Sequence, residues 1–245
     1  MYALTLILAV TATPPLVPNR IPAWRDPGDY AGAAACKPCH AHAWWAWRRS
    51  PHGRAMAEPS ADTVAGSFDA APIPLQGGEG RPLWDAERGF RFALPGPDGQ
   101  PYQWPVSLVL ASGRTHQLYV TQTEDGRLRP LPIFWGAEKR RWASLQDYRP
   151  SSLDPESPDW WGRGSLLRYS CLDCHASQAS YRLDGERRIV TEYVDLSVNC
   201  EACHGPAKAH AAGGPPPASL KHLSKERSEE RRVGKECRSR WSPYH

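Results

Sequence analysis

Six of the seven cysteines fall into three copies of one pattern, and this constrains the chain more than any other feature. The copies are Cys36-Lys-Pro-Cys39-His40, Cys171-Leu-Asp-Cys174-His175 and Cys200-Glu-Ala-Cys203-His204. C-x-x-C-H is the attachment signature of c-type haem. Two thiols three positions apart on one turn can each form a thioether with a vinyl group of the same porphyrin. The histidine that follows then lies beneath the ring as the proximal iron ligand. Other uses of paired cysteines fit less well. Structural zinc takes two pairs per ion, which would leave one pair over and the histidines unexplained. A thioredoxin-like redox site needs one motif on a strand-to-helix turn, and Cys-x-x-Cys disulfides are strained as scaffolding. The expectation is three covalently bound haem c groups, held by Cys36, Cys39, Cys171, Cys174, Cys200 and Cys203. His40, His175 and His204 would be the proximal ligands.

The ends read differently from the middle. Residues 1–12 carry an apolar run from Ala3 to Val10 and small residues after it, which fits a secretory signal peptide. Its basic start is missing, because the first arginine is Arg20. A buried first strand and an uncleaved anchor are the alternatives. Export agrees with haem c attachment, so a periplasmic or otherwise exported location is expected. Residues 227–245, from Arg-Ser-Glu-Glu-Arg-Arg to Trp-Ser-Pro-Tyr-His, are similar to a translated DNA sequencing adapter; a real basic tail is the alternative. On the adapter reading Cys237 is set aside and the natural protein continues past Glu226. The net charge of +4, from 30 basic and 26 acidic residues, then falls to +1, from 24 and 23. Neither value, nor any basic-aromatic repeat, argues for nucleic acid. No apolar run reaches the roughly 18 residues of a membrane span, so membrane association is expected only through an uncleaved N-terminus.

Between the motifs, Pro at 25 and Gly at 20 work against long helices, while 11 Trp against four Phe suggest flat surfaces packed beside something aromatic. Ala41 to Arg49 reads as a short helix stopped before Pro51, and its Trp44, Trp45 and Trp47 are expected to cover a haem face. Strands are expected at Phe90–Leu94, Tyr102–Ala111, His116–Thr123 and Arg127–Trp135, separated by Pro97-Asp98-Gly99, Ser112-Gly113 and Glu124-Asp125-Gly126. Arg187–Leu196 is expected as a strand paired near Tyr181 and Arg182, with Asp184-Gly185 at the turn. The fold class is therefore α+β: short helices and loops wrapping three covalent haems, with an inserted antiparallel β-meander. The expected organisation is a leader at 1–12, a linker at 13–29, a multihaem domain at 30–212 and a Pro/Gly linker at 213–226.

Several blocks together carry a resemblance. Cys36–His40 is followed by Trp47-Arg48 and Ser50-Pro-His-Gly-Arg-Ala-Met56; later come Asp125-Gly-Arg-Leu-Arg-Pro-Leu-Pro132 and Val198-Asn-Cys-Glu-Ala-Cys-His-Gly-Pro206. From about Tyr30 to His210 the chain resembles the multihaem cytochrome c family related to the tetrahaem cytochromes of nitrifying bacteria, whose members often carry tetratricopeptide repeats C-terminally. The resemblance implies electron transfer between haems and fixes no substrate. The chain departs from it in showing three motifs. Either a fourth haem is absent or it lies beyond Glu226.

Each iron needs a sixth ligand or an open position. His52 is the leading distal candidate, because it sits in a loop bounded by Pro and Gly and the family block implies a ligand-type histidine there. His210, six residues after His204, can cross to an adjacent ring. His116 opens an expected strand and is a third candidate, with a half-buried structural role as its alternative. His42 is too near His40 to reach the same iron, and His222 reads as a solvated surface residue. Met56 reads as a core residue, with iron ligation as its alternative. Two functional classes follow. With all irons closed by histidine, the chain is an electron carrier working with redox partner proteins. With one iron open, it is an oxidoreductase acting on a small nitrogen or sulfur compound, and Arg48, Arg49, Arg54 and His52 are the nearest basic cluster. A third class is a sensor or scaffold that presents haems on a larger repeat protein.

Overall fold

The computed structural model describes residues 28–75, 78–96, 99–145 and 166–217. The expected leader, most of the 13–29 and 213–226 linkers, His222 and the 227–245 segment lie outside them.

The N-terminal part is helical and short. Helix α1 (Ala33–Cys36) delivers the first cysteine, and α2 (Ala41–Arg49) follows directly from His40. Alanine and unbranched positions favour α2, and Arg48 and Arg49 in its last turn complement the helix dipole. Ser50 and Pro51 end it. The Ser50 hydroxyl donates to the Trp47 carbonyl at 2.7 Å and accepts from the Gly53 N–H at 3.3 Å. Glycine is needed at 53, since a Cβ there would lie 2.3 Å from the Trp47 carbonyl oxygen.

Nine strands follow: β1 (Met56–Ala57), β2 (Ile73–Leu75), β3 (Gly78–Asp85), β4 (Gly89–Pro95), β5 (Pro101–Pro105), β6 (Leu108–Leu110), β7 (His116–Gln122), β8 (Leu128–Gly136) and β9 (Arg141–Ser144). They form two antiparallel sheets, ordered β2-β3-β4-β5 and β1-β6-β7-β8-β9. The α+β class and the antiparallel insertion are as the sequence predicts; the single meander is not. The stretch expected as one strand at 102–111 is two, in different sheets. The Val106 N–H still bonds the Phe90 carbonyl (2.9 Å) on one side, and the Ser107 N–H bonds the Val120 carbonyl (2.7 Å) on the other. The chain changes sheets between those two residues.

Side-chain alternation then gives the five-stranded sheet two buried faces. Val109, Tyr119, Leu131, Ile133 and Trp135 pack against Ile73, Phe92, Leu94 and Trp104 of the other sheet. One residue out of phase, Leu108, Leu110, Val120 and Leu128 pack against Met56, Leu167, Leu172, Ala176 and Tyr193. Much of the aromatic richness is used within the first of these cores. Phe68, Phe92, Tyr119 and Trp142 stack edge-on and tilted, with centroids 4.9–5.6 Å apart.

The C-terminal part returns to short elements: α3 (Leu167–Ser170), α4 (Leu172–His175), the hairpin β10 (Ser180–Leu183) and β11 (Ile189–Glu192), α5 (Glu201–His204) and α6 (Lys208–Ala211). The hairpin turn is where expected. Asp184 Oδ1 accepts the N–H groups of Glu186 and Arg188, both at 2.9 Å. Beyond α6, Gly213 and Gly214 fold back to bond the carbonyls of His210 (2.9 Å) and Ala209 (2.8 Å). No helix among the described residues is long and apolar enough to cross a membrane.

Candidate haem-attachment sites

The three motifs adopt one local structure. In each, the histidine N–H bonds the carbonyl of the first cysteine: His40 to Cys36 at 2.9 Å, His175 to Cys171 at 3.1 Å and His204 to Cys200 at 2.9 Å. Residues i, i+3 and i+4 of such a turn share one face, so both thiols and the imidazole project together. The six thiols form no disulfide. Among the described residues no three of His, Cys, Asp and Glu converge on one point, whereas a tetrahedral zinc site draws four such ligands together. The donor set fits haem c: an unbridged thiol pair and an imidazole at every turn.

One of the imidazoles is held as an iron ligand should be. His175 donates from Nδ1 to the Ala55 carbonyl at 2.8 Å, leaving Nε2 for a metal. Burial holds its pKa below the usual histidine value, the Ala55 bond pulls the other way, and the nearby His116 adds to the lowering. The His116 ring also stands edge-on to Phe134, with centroids 6.4 Å apart. His40 occupies the N-cap position of α2 without spending its side chain on a cap.

His210 faces His40. Their ring centroids are 6.2 Å apart. Two imidazoles on opposite sides of one metal, with bonds of about 2 Å each, put their centroids roughly 6 Å apart. His210 also donates from Nδ1 to the Gly214 carbonyl at 3.2 Å, so its Nε2 is the free nitrogen. The loop of His52 lies against the approach to the third motif, where its carbonyl accepts the Val198 N–H at 3.2 Å. Met56 is buried in the second core, paired with Leu110. His42 is exposed.

The α2 tryptophans are divided. Trp47 donates from Nε1 to the Val198 carbonyl at 2.8 Å, which docks the helix beside the third motif. Trp45 remains 49% exposed. The Lys37 ammonium lies 4.8 and 5.1 Å from the Trp44 and Trp45 ring centres. An open cleft lined by Tyr30, Asp173, Gln178, Glu201, Ala202 and Gly205 separates the second motif from the third.

Sequence reasoning missed two acids. Glu201 occupies a variable position inside the third motif, yet it is buried and accepts three backbone N–H groups. Asp195 Oδ2 accepts the Ala33 N–H at 2.9 Å and Asn199 Nδ2 at 2.6 Å. Burial raises the Asp195 pKa above the usual carboxylate range, these hydrogen bonds oppose it, and the neighbouring Glu201 charge adds to the rise. No pattern in the sequence marks either residue, because each also holds backbone N–H groups more than 160 positions away.

The family described as cytochrome c554 and c-prime matches residues 157–205, which hold the second and third motifs. No curated protein matches the chain. Among solved structures, the outer cell wall cytochrome OcwA is similar at 19% identity with a TM-score of 0.48, over 78% of this chain and 35% of its own. The undecahaem cytochrome from the S-layer of Carboxydothermus ferrireducens is similar at 18% identity and 0.48, over 85% of this chain and 26% of its own. The chain thus spans about a third and a quarter of these two proteins.

Proposed function

We propose that this chain is an exported cytochrome that carries electrons through three covalently attached haem c groups, one at each C-x-x-C-H turn. The observation that carries the reading is the same thiol–thiol–imidazole turn built three times, with every described cysteine used and unbridged. Haem c supplies a one-electron iron couple when bound. The protein supplies attachment, axial ligation and spacing. Cys36 with Cys39, Cys171 with Cys174 and Cys200 with Cys203 would form the thioethers, and His40, His175 and His204 would ligate from the proximal side. Facing rings at 6.2 Å support His210 as the sixth ligand opposite His40. The bond from the Val198 N–H to the His52 carbonyl supports His52 at the third motif, and His116 is the remaining candidate for the second.

The partners of such a protein are other redox proteins, and the exposed first turn around Cys39 and His40 offers one route of contact. The apolar run at 3–10 and the compartment in which haem c is attached support export.

The test is the ferric protein matured in a host that attaches haem c. Intact mass should show three haems, and electron paramagnetic resonance should show low-spin iron throughout, inert to carbon monoxide after reduction. A high-spin fraction that binds carbon monoxide would replace the carrier by an oxidoreductase with an open iron. A protein that matures without haem would end the proposal.

A further inference from the structure

Glu201 is 3% exposed and follows Cys200 directly in the chain. Its Oε1 accepts the N–H groups of Ala31 at 2.9 Å and Ala207 at 2.8 Å, and its Oε2 accepts the N–H of Gly32 at 2.8 Å. Three separate pieces of chain meet on this one side chain. Ala31 and Gly32 lead into α1 and thus into Cys36 and His40. Ala207 leads into α6 and thus into His210. The glutamate itself belongs to the third attachment turn.

The neighbouring contacts agree. The Cys36 thiol donates to the carbonyl of Gly32 at 3.9 Å, on the residue whose N–H Glu201 holds. Asp195 takes the next N–H along, that of Ala33, and the Lys208 N–H bonds the Asp29 carbonyl at 3.1 Å. Such a clamp needs a carboxylate. Both its oxygens accept, whereas an amide of the same shape accepts at one atom and turns donors toward the N–H groups at the other.

We propose that Glu201 is the positioning residue of the first iron site: its carboxylate holds the His40 turn and the His210 helix at the separation that lets one iron take both imidazoles. The proposal deepens the reading above and rests on a haem at Cys36 and Cys39. Glu201 touches neither iron nor porphyrin edge in this role; it acts through the two histidines.

The experiment compares the matured protein with Glu201→Gln and Glu201→Asp. Intact mass and peptide mapping count haems, and ferric electron paramagnetic resonance with carbon monoxide binding reads axial ligation. Glu201→Gln should retain three haems while about one iron in three becomes high-spin and binds carbon monoxide. Glu201→Asp keeps the charge with oxygens one methylene shorter, and it should restore much of the low-spin signal. Where Glu201→Gln does not accumulate, Glu201→Asp alone decides: a partial high-spin fraction is expected. Three haems with wild-type spectra in the variants, even at a lowered melting temperature, would reduce Glu201 to a structural role and overturn the proposal. A wild-type Cys36–Cys39 peptide without haem would instead overturn the reading beneath it.

Discussion

At the scale of single residues, histidine pairing and buried acid placement decide how the first site behaves. His210→Ala removes the imidazole facing His40 and leaves the proximal turn intact. The expected outcome is an unchanged haem count with roughly one iron in three high-spin and reactive to carbon monoxide, read by electron paramagnetic resonance and optical titration. His42→Ala, at an exposed position, should leave both readouts at wild type. Asp195 provides a pH test. Its folded carboxyl holds a proton more tightly than an aspartate does at the ordinary value of about 3.8 in the unfolded chain. The stability it contributes is therefore fully present below that value and is lost as pH rises through the folded pKa. Asp195→Asn does not titrate, so the stability of wild type relative to this variant should improve from pH 7 toward pH 4. Denaturant melts of both proteins across that range check the sign; wild type losing ground to the variant on acidification refutes it.

At the scale of elements, the turn at 124–126 joins the sheets to the C-terminal hairpin that precedes the third motif. Gly126 has φ +80°, a Cβ there would lie 1.9 Å from the Ile189 carbonyl oxygen, and the Ile189 N–H bonds the Asp125 carbonyl at 2.7 Å. Gly126→Ala combines backbone strain with a clash against main chain and should cost about 2–3 kcal/mol. Gly185 sits in the other hairpin turn with nothing within 4 Å of its ideal Cβ, and Gly185→Ala should stay within about 0.5 kcal/mol. Urea melts of the two variants compare them directly.

The same elements show what local sequence carries. α2 was legible to the residue, because alanine, a terminal arginine pair and Ser50-Pro51 all act within one helix. β4, β7, β8 and the β10–β11 hairpin were legible because alternation and turn residues are local too. β1, β2 and β3 were not. Met56–Ala57 is a strand only because Leu110 and Val109 lie opposite, and Ile-Pro-Leu or Gly-Glu-Gly-Arg-Pro carries no period of its own. The break at Val106 and Ser107 was hidden for the same reason: apolar alternation continues across it, and only the carbonyls on either side reveal two sheets.

At the scale of the whole molecule, the second core is shared between the five-stranded sheet and the second motif, with Leu172 and Ala176 packed on Leu108, Leu110 and Val120. Changing Cys171 and Cys174 together to alanine should remove one haem of three and lower the melting temperature of the sheet as well as of the motif. Intact mass and circular dichroism in the far ultraviolet read the two effects separately. An unchanged haem count would remove the second motif from the set. The three repeated turns were legible because C-x-x-C-H encodes its own geometry within five residues. The pairing of His40 with His210 was not, since it depends on where two distant turns come to rest.

That distance has a consequence in time. The bond between the Gly32 N–H and Glu201 spans 169 positions, and the bond from Ala31 spans 170. Contacts so far apart in the chain form slowly, because long loops must close before they are rewarded. A ribosome makes the first attachment turn early and the segment carrying Glu201 and His210 late. The first turn therefore waits, unclamped and with one face uncovered, until nearly all of the described chain exists. Its junction with α6 and the third turn belongs to the last stage of folding.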